Sequence, residues 1–280
     1  VTGVQTCALP IFMKLKTYTN KVFIMIFSLF PIIAYSSEVN VFKTWGATGH
    51  RVIGEVASQH VSKRTAKALN ELLDGESLAY ASNFGDDIKS DKKYNKYYSW
   101  HYANLDLDQT YAESDKNPKG DIIIAIKNCI NILKNINESK ERKQFFLKLL
   151  IHFIGDLHQP LHLGQLKNKG GNDIKVKWFG KNSNLHRVWD SGIIESHGMS
   201  YSEMTVNLPV LNAFEIKSLK NNSLNDWLVE IHALTNIIYT TLPEKTNLGY
   251  KYRYEYINIV RKQLLNGGIH LATVLNDIFE

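Results

Sequence analysis

The residues able to do chemistry are most densely gathered in His152-Phe153-Ile154-Gly155-Asp156-Leu157-His158-Gln159-Pro160-Leu161-His162. His152 and Asp156 are four apart, so on a helix they project from one face, one turn above the other. Phe145 to Ile151 is mostly apolar and free of breakers, which predicts a buried helix entering this stretch. Pro160 lacks a backbone donor and predicts the helix end, leaving His162 just past it and able to face a neighbouring centre. Imidazole and carboxylate are the donors that zinc takes in open, catalytic sites. The same spacing recurs as His186 and Asp190, and with His50, Asp86 and His101 there are donors enough for more than one metal. Read singly, each of these residues is equally a surface polar group or a core histidine bonded to backbone.

The elements that must position them are mostly helical. Arg51 to Leu73 carries apolar residues at helical spacing, and Ser82 to Lys89 begins another helix. Ile122 to Ile136 and Lys140 to Leu157 are the two strongest helical patterns, and Leu224 to Tyr239 and Tyr252 to Phe279 complete the chain as amphipathic helices. The aromatic-rich run Tyr97 to Leu105 predicts a strand or extended loop, and the polar run Asp106 to Gly120 a loop. After Pro160 the character changes. Gln165 to Asn172 is a Gly/Asn/Lys loop, Asp173 to Phe179 alternates like a short strand, and a turn is expected at Gly180 to Ser183. A mainly α fold with a small β-hairpin follows.

The chain has 280 residues, 44% hydrophobic and 21% charged, an ordinary globular balance. Without a low-complexity linker or an internal repeat, one domain is expected. The formal net charge is +6, but Lys14, Lys16 and Lys21 fall in a predicted leader. Of 33 basic side chains, removing these three leaves 30 against 27 acidic ones, a balance of +3 and weak evidence for a polyanionic partner. Bound divalent cations would add positive charge where such a partner sits, which formal charge does not count. The two cysteines are Cys7, in the leader, and Cys129, so no internal disulfide and no thiolate metal site is expected; Cys129 should pack on a helix.

Residues 1–12 fit nothing downstream and read as upstream translated sequence before a start at Met13. From there, the three lysines, the apolar run Val22 to Ile33 and the small residues of Ala34-Tyr35-Ser36 pattern as a signal peptide over 13–36. Residues 37–44 would be a short linker or pro-segment, and 45–280 the catalytic domain. The apolar run is short for a membrane span, so an exported, periplasmic or secreted monomer without stable membrane association is expected after leader cleavage.

Taken in order, Trp-Gly-x-x-Gly-His at 45–50, Phe-Gly-Asp at 84–86, Trp-His-Tyr at 100–102, the His152–His162 stretch, Gly-Gly-Asn-Asp at 170–173 and Asn-Leu-His-x-Val-Trp-Asp at 184–190 resemble the S1/P1 nucleases. These are trinuclear zinc enzymes related in fold to the zinc-dependent phospholipases C. The resemblance runs from Trp45 to the C-terminus, where Leu271-Ala272 and Leu275 to Phe279 look like the family's last helix. It implies a single-domain helical fold of the phospholipase C/P1 nuclease type. It also implies three Zn2+ ions: Asp86, His101, His152 and Asp156 at the first site, and His162, His186 and Asp190 at the second. The third would take the α-amino group and carbonyl oxygen of Trp45, with His50 and Asp156. The reaction implied is hydrolysis of single-stranded DNA and RNA to 5′-phosphate products by zinc-activated hydroxide, with 3′-nucleotidase activity. Asp86, Lys89 and Asp156 would be catalytic. Tyr102 would stack on a base and Asn104 would bond its edge, while Asn172 and Asp173 would line the cleft; core packing is the competing reading of Tyr102.

Two departures bear on this. Ser37 to Thr44 stands ahead of Trp45, and an amide nitrogen inside the chain is a poor ligand. Lys89 stands where some relatives carry arginine, giving a point charge in place of a bidentate fork. A zinc phospholipase C is the enzymatic alternative, although those enzymes resemble HxxxE in the last ligand pair, where this chain has HxxxD. An exported, non-catalytic zinc-binding protein is the alternative from another class.

Overall fold

In the computed structural model the helix Lys140–Leu157 runs through the middle of the molecule, capped at its start by Ser139, whose hydroxyl accepts from Arg142 N–H. Every residue from Leu149 to Leu157 is buried, the signature of a helix covered on all sides. The structure describes residues 45–280; the upstream sequence, leader and linker expected over 1–44 lie outside the described residues. Around the central helix pack Ala47–His60, Ile122–Lys134 and the long C-terminal helix Tyr250–Phe279. The fold is mainly α, and Cys129 is buried on the Ile122–Lys134 helix.

The central helix stops where the proline requires. Pro160 opens a 3-10 turn, Pro160–Leu163, where its missing N–H costs nothing and its fixed φ is suited to the first position. Gln159 caps that turn, accepting from Leu161 N–H. His162 is thereby placed on the turn just beyond the helix.

The small sheet corrects the expected hairpin in two respects. Strands β1 (Lys175–Trp178) and β2 (Lys181–Asn184) pair antiparallel with Trp178 opposite Lys181, so the turn is Phe179-Gly180 and the segment expected as turn is mostly strand. Both turn residues have positive φ, 49° and 79°, as a tight two-residue hairpin with right-handed twist demands. A third strand, β3 (Asn247–Leu248), adds parallel to β1; two residues carry no periodic signal, so it was not foreseen.

The Tyr97–Leu105 expectation is also corrected. A 3-10 helix occupies Lys92–His101, and extended backbone begins only at Tyr102. Tyr97 packs edge-on to Trp100 at 4.9 Å and against Phe145 at 5.5 Å, so the aromatic richness reflects packing on the central helix. From Tyr102 the burial alternates, and Ala103 N–H and Leu105 N–H donate to His162 O at 2.9 Å and Gly164 O at 3.1 Å. Two short helices, Tyr201–Val206 and Ala213–Asn221, were not anticipated although Ser200/Glu203 and Asn212/Glu215 form capping boxes that the sequence displays.

Candidate metal centre

Asp156 is the node of the site. It is fully buried near the end of the central helix, and both of its oxygens face imidazoles. Oδ2 lies 2.7 Å from His101 Nδ1 and 3.0 Å from His152 Nε2; Oδ1 lies 3.3 Å from His50 Nε2 and 3.8 Å from His162 Nδ1. His152 comes from the same helix one turn earlier, His50 from the Ala47–His60 helix, and His101 from the last turn of the 3-10 helix. Asp86, on the short helix Phe84–Asp87, brings Oδ1 to 3.6 Å from His152 Nε2. The His50 and His152 rings stack at 4.1 Å, so the two donor groups around Asp156 are contiguous.

A second group forms beside it. His162 Nε2 is 3.6 Å from Asp190 Oδ1, and His186 Nε2 is 3.2 Å from Asp190 Oδ2. The four-residue spacing of His186 and Asp190 works here across a short helix, Leu185–Arg187, that passes into a π-turn over Val188–Gly192.

Three sets of donor atoms therefore converge: His50, His152 and Asp156; Asp86, His101 and His152; and His162, His186 and Asp190. Four ligands at zinc–nitrogen distance in a tetrahedron stand about 3.3 Å apart. The separations above bracket that edge length. Four inward-facing atoms, His50 Nε2, Asp156 Oδ1, His162 Nε2 and Asp190 Oδ2, are buried without a hydrogen-bond partner. Buried polar atoms are normally satisfied, so these fit cations held within their respective groups.

Three of the rings, those of His152, His162 and His186, are held from behind by backbone. His152 Nδ1 donates to Ser82 O at 2.8 Å, His162 Nδ1 to His101 O at 2.5 Å, and His186 Nδ1 to Gly170 O at 2.6 Å. These bonds assign the proton to Nδ1 and leave the Nε2 lone pair facing the cluster. Burial, with Lys89 nearby, pushes His101 down to about 3, which keeps it in the neutral, ligating form. Burial alone would raise the Asp86 carboxyl, but the neighbouring His152 ring and the Lys89 ammonium outweigh it and hold it well below the usual range.

Two glycines were passed over in the sequence and prove to be structural conditions of the site. A Cβ at Gly85 would stand 2.3 Å from His152 Cδ2, and one at Gly155 would stand 2.7 Å from His50 Nδ1. Each imidazole occupies the space a side chain would take. Gln159, also unread, donates its amide to Asp190 Oδ1.

The remaining predicted residues are more dispersed. Lys89 Nζ bonds Asp86 Oδ1 at 2.8 Å and lies 6.0 Å from the Tyr98 ring, at the mouth of the first group. Tyr102 and Asn104 are half-buried on the extended run that follows His101. Asn172 bonds Lys169 O at 2.9 Å, and Asp173 is exposed and paired with Lys169 at 3.2 Å, so neither joins a donor group; their loop reaches the second one through Gly170 O. Trp45 is fully buried against Gly49, and Gly46 N–H donates to Asp190 O at 2.7 Å, which ties this segment to the second group.

The comparisons with known proteins agree with this geometry. The S1/P1 Nuclease family model matches residues 45–280. The chain is similar to endonuclease 4 of Arabidopsis thaliana, with 31% identity covering 89% of this chain and 93% of that protein. Endonuclease 3 of the same plant is 32% identical over the same shares. Nuclease P1 of Penicillium citrinum is 27% identical, covering 84% and 97%. The family's members are zinc enzymes, and the His/Asp groups here are able to hold that metal. With the family model matched over every described residue and relatives above 30% identity along most of the chain, the chain belongs to the S1/P1 nuclease family and is a hydrolase of phosphodiester bonds.

Proposed function

We propose that this enzyme cleaves single-stranded DNA and RNA endonucleolytically to 5′-phosphate products, and also removes phosphate from 3′-nucleotides. The observation that carries the reading is the placement of Asp156, with an oxygen toward each of two contiguous donor groups and a third group reached through His162 at 3.8 Å. Three zinc ions would be held: one by Asp86, His101, His152 and Asp156, one by His162, His186 and Asp190, and one by Trp45, His50 and Asp156. Zinc bound there supplies a low-pKa water and charge neutralisation for phosphate oxygens.

The chain's own groups do the rest. Lys89, anchored on Asp86 at 2.8 Å, holds a positive charge at the mouth for a phosphate oxygen. Asp86 orients the attacking water. Tyr102 presents a partly exposed ring on which an unpaired base stacks, which selects single strands with little regard to sequence. Asn104, two residues on along the extended run, is placed to bond a base edge, and Asn172 and Asp173 line the approach. The buried imidazoles of His50 and His101 are kept neutral, ready to ligate.

Among the described residues no helix is long and apolar enough to cross a membrane. Export to the periplasm or medium as a monomer is part of the proposal, as is processing that frees the Trp45 amino group.

Zinc-replete protein should be assayed on single-stranded DNA, RNA, duplex DNA, a 3′-nucleotide and phosphatidylcholine, with product ends read by mass. Rapid cleavage of single strands with 5′-phosphate ends and slow cleavage of duplex supports the reading. Turnover of the lipid in preference to nucleic acid transfers it to the phospholipases C, and zinc binding without any turnover makes this a zinc-binding protein.

A further inference from the structure

Gln159 is completely buried between the two metal-donor groups, and its carboxamide has a fixed orientation. Its Oε1 accepts from Leu161 N–H at 2.6 Å, so the Nε2 end faces Asp190 and donates to Oδ1. A reversed amide would set two acceptors against each other at Asp190 and two donors at Leu161. The main chain is equally committed. Gln159 N–H donates to Asp156 O at 3.0 Å, and His162 N–H donates to Gln159 O at 2.9 Å. One residue thus ties Asp156 of the first group to both His162 and Asp190 of the second.

We propose that Gln159 is a positioning residue that confines Asp190 to ligation through a single oxygen and so fixes the geometry of the His162–His186–Asp190 centre. This rests on reading that group as a zinc site. Asp190 Oδ1, 3.6 Å from His162 Nε2, carries the hydrogen bond from the Gln159 amide, while Oδ2, 3.2 Å from His186 Nε2, is buried without a hydrogen bond and is the oxygen left to bind metal. Asp156 differs in its partners: among the described residues no amide donor caps it, and its oxygens meet imidazole nitrogens only. The difference explains how two buried aspartates in similar HxxxD pairs serve differently, one reaching toward two centres and one terminal. With His101 O behind His162 and Gly170 O behind His186, Gln159 completes an outer shell in which every ligand of the second centre is held from behind. Loss of such a partner typically weakens metal binding about 10- to 100-fold.

The test uses the full-length zinc-loaded protein and two substitutions. Gln159→Met keeps the length and removes the donor; Gln159→Glu keeps an acceptor for Leu161 but sets a carboxylate against Asp190. Zinc release is followed against rising dipicolinate, and His186→Ala marks which equivalent belongs to this centre. Cobalt-substituted samples add the visible absorption of the same centre, which a merely structural change elsewhere would not move. Circular dichroism identifies which variant is folded, so that either one suffices. The expected result is release of that one equivalent at roughly 10- to 100-fold lower chelator, with an altered cobalt spectrum and the other equivalents unmoved. Release curves that superimpose on the parent, or that shift equally for every equivalent, overturn the role of Gln159. A parent protein in which His186→Ala removes no zinc overturns the reading of the centre itself.

Discussion

His50 Nε2 and Asp156 Oδ1 lie 3.3 Å apart, both fully buried and neither making a hydrogen bond, where the Ala47–His60 helix meets the central helix. An ionised carboxylate taken out of water costs several kcal/mol unless it is compensated. Asp156 is nonetheless held well below the usual carboxylate range, because the surrounding histidines outweigh the penalty of its burial. The ionised carboxylate is the form that ligates a metal, and the functional expectations start from it.

Asp156→Asn keeps the shape of the side chain and removes the charge. Even the loss of an outer-shell partner costs about 10- to 100-fold, so kcat/KM on single-stranded DNA should fall by more than about 100-fold. Metal analysis should show zinc lost from the groups around His50, His101 and His152, with the His162–His186–Asp190 group retaining its share. A fully active, fully loaded variant would remove Asp156 from the centre of the site.

Gly155→Ala and Gly85→Ala place a methyl group against His50 and His152 respectively, at 2.7 and 2.3 Å from the nearest ring atom. Neither ring has slack, since His152 is tethered to Ser82 O and both are buried. Overpacking of this kind costs about 1–3 kcal/mol. Denaturant melts should show that loss together with reduced zinc content. Unchanged stability and metal content would mean that the rings can move away freely.

Tyr102→Ala should raise KM for single-stranded substrates by roughly 5- to 150-fold, the equivalent of about 1–3 kcal/mol of base stacking. Tyr102→Phe retains the ring and should change little. Steady-state kinetics on a short oligonucleotide separates this from core packing, in which case Tyr102→Ala would lower the melting temperature and leave KM alone.

His270 provides a pH dependence away from the metal donors. It accepts or donates one hydrogen bond with His158 at 2.8 Å and stacks on Trp227 at 4.2 Å. Burial, and then the neighbouring His158, push it down to about 2. Unfolded, it titrates near 6.5. Below that pH the unfolded chain binds the extra proton, so stability is full above about 6.5 and falls as the solution is acidified. The loss from this residue should reach about 2 kcal/mol by pH 5. Urea melts of metal-free protein at pH 7 and 5 should show a smaller difference in His270→Gln than in the parent; equal differences would mean that His270 stays exposed to protons in the folded state.

Much of this was legible along the chain because the decisive relations are local. The four-residue spacing puts His152 and Asp156 on one face by helix geometry alone, and Pro160 ends the helix so that His162 falls on the next turn. The mainly α fold and the long helices Lys140–Leu157 and Tyr250–Phe279 follow from apolar periodicity. The ordered motifs from Trp45 to Asp190 carry the family resemblance, and the family model matches the same chain over 45–280. Where the signal was weak or shared, local reading erred. The aromatic-rich run Tyr97 to Leu105 suits both a strand and a packed 3-10 turn, and a two-residue strand such as Asn247–Leu248 has no period to detect.

What tertiary structure alone decided is how the donors are shared. Sequence names eight histidines and aspartates but does not say that His50 stacks on His152, that both oxygens of Asp156 are surrounded by imidazoles, or that one oxygen of Asp190 is capped by Gln159. Those are contacts between helices far apart in the chain, set by how closely their backbones approach. Gly85 and Gly155 permit that approach, and the space they leave is visible only once the imidazoles occupy it.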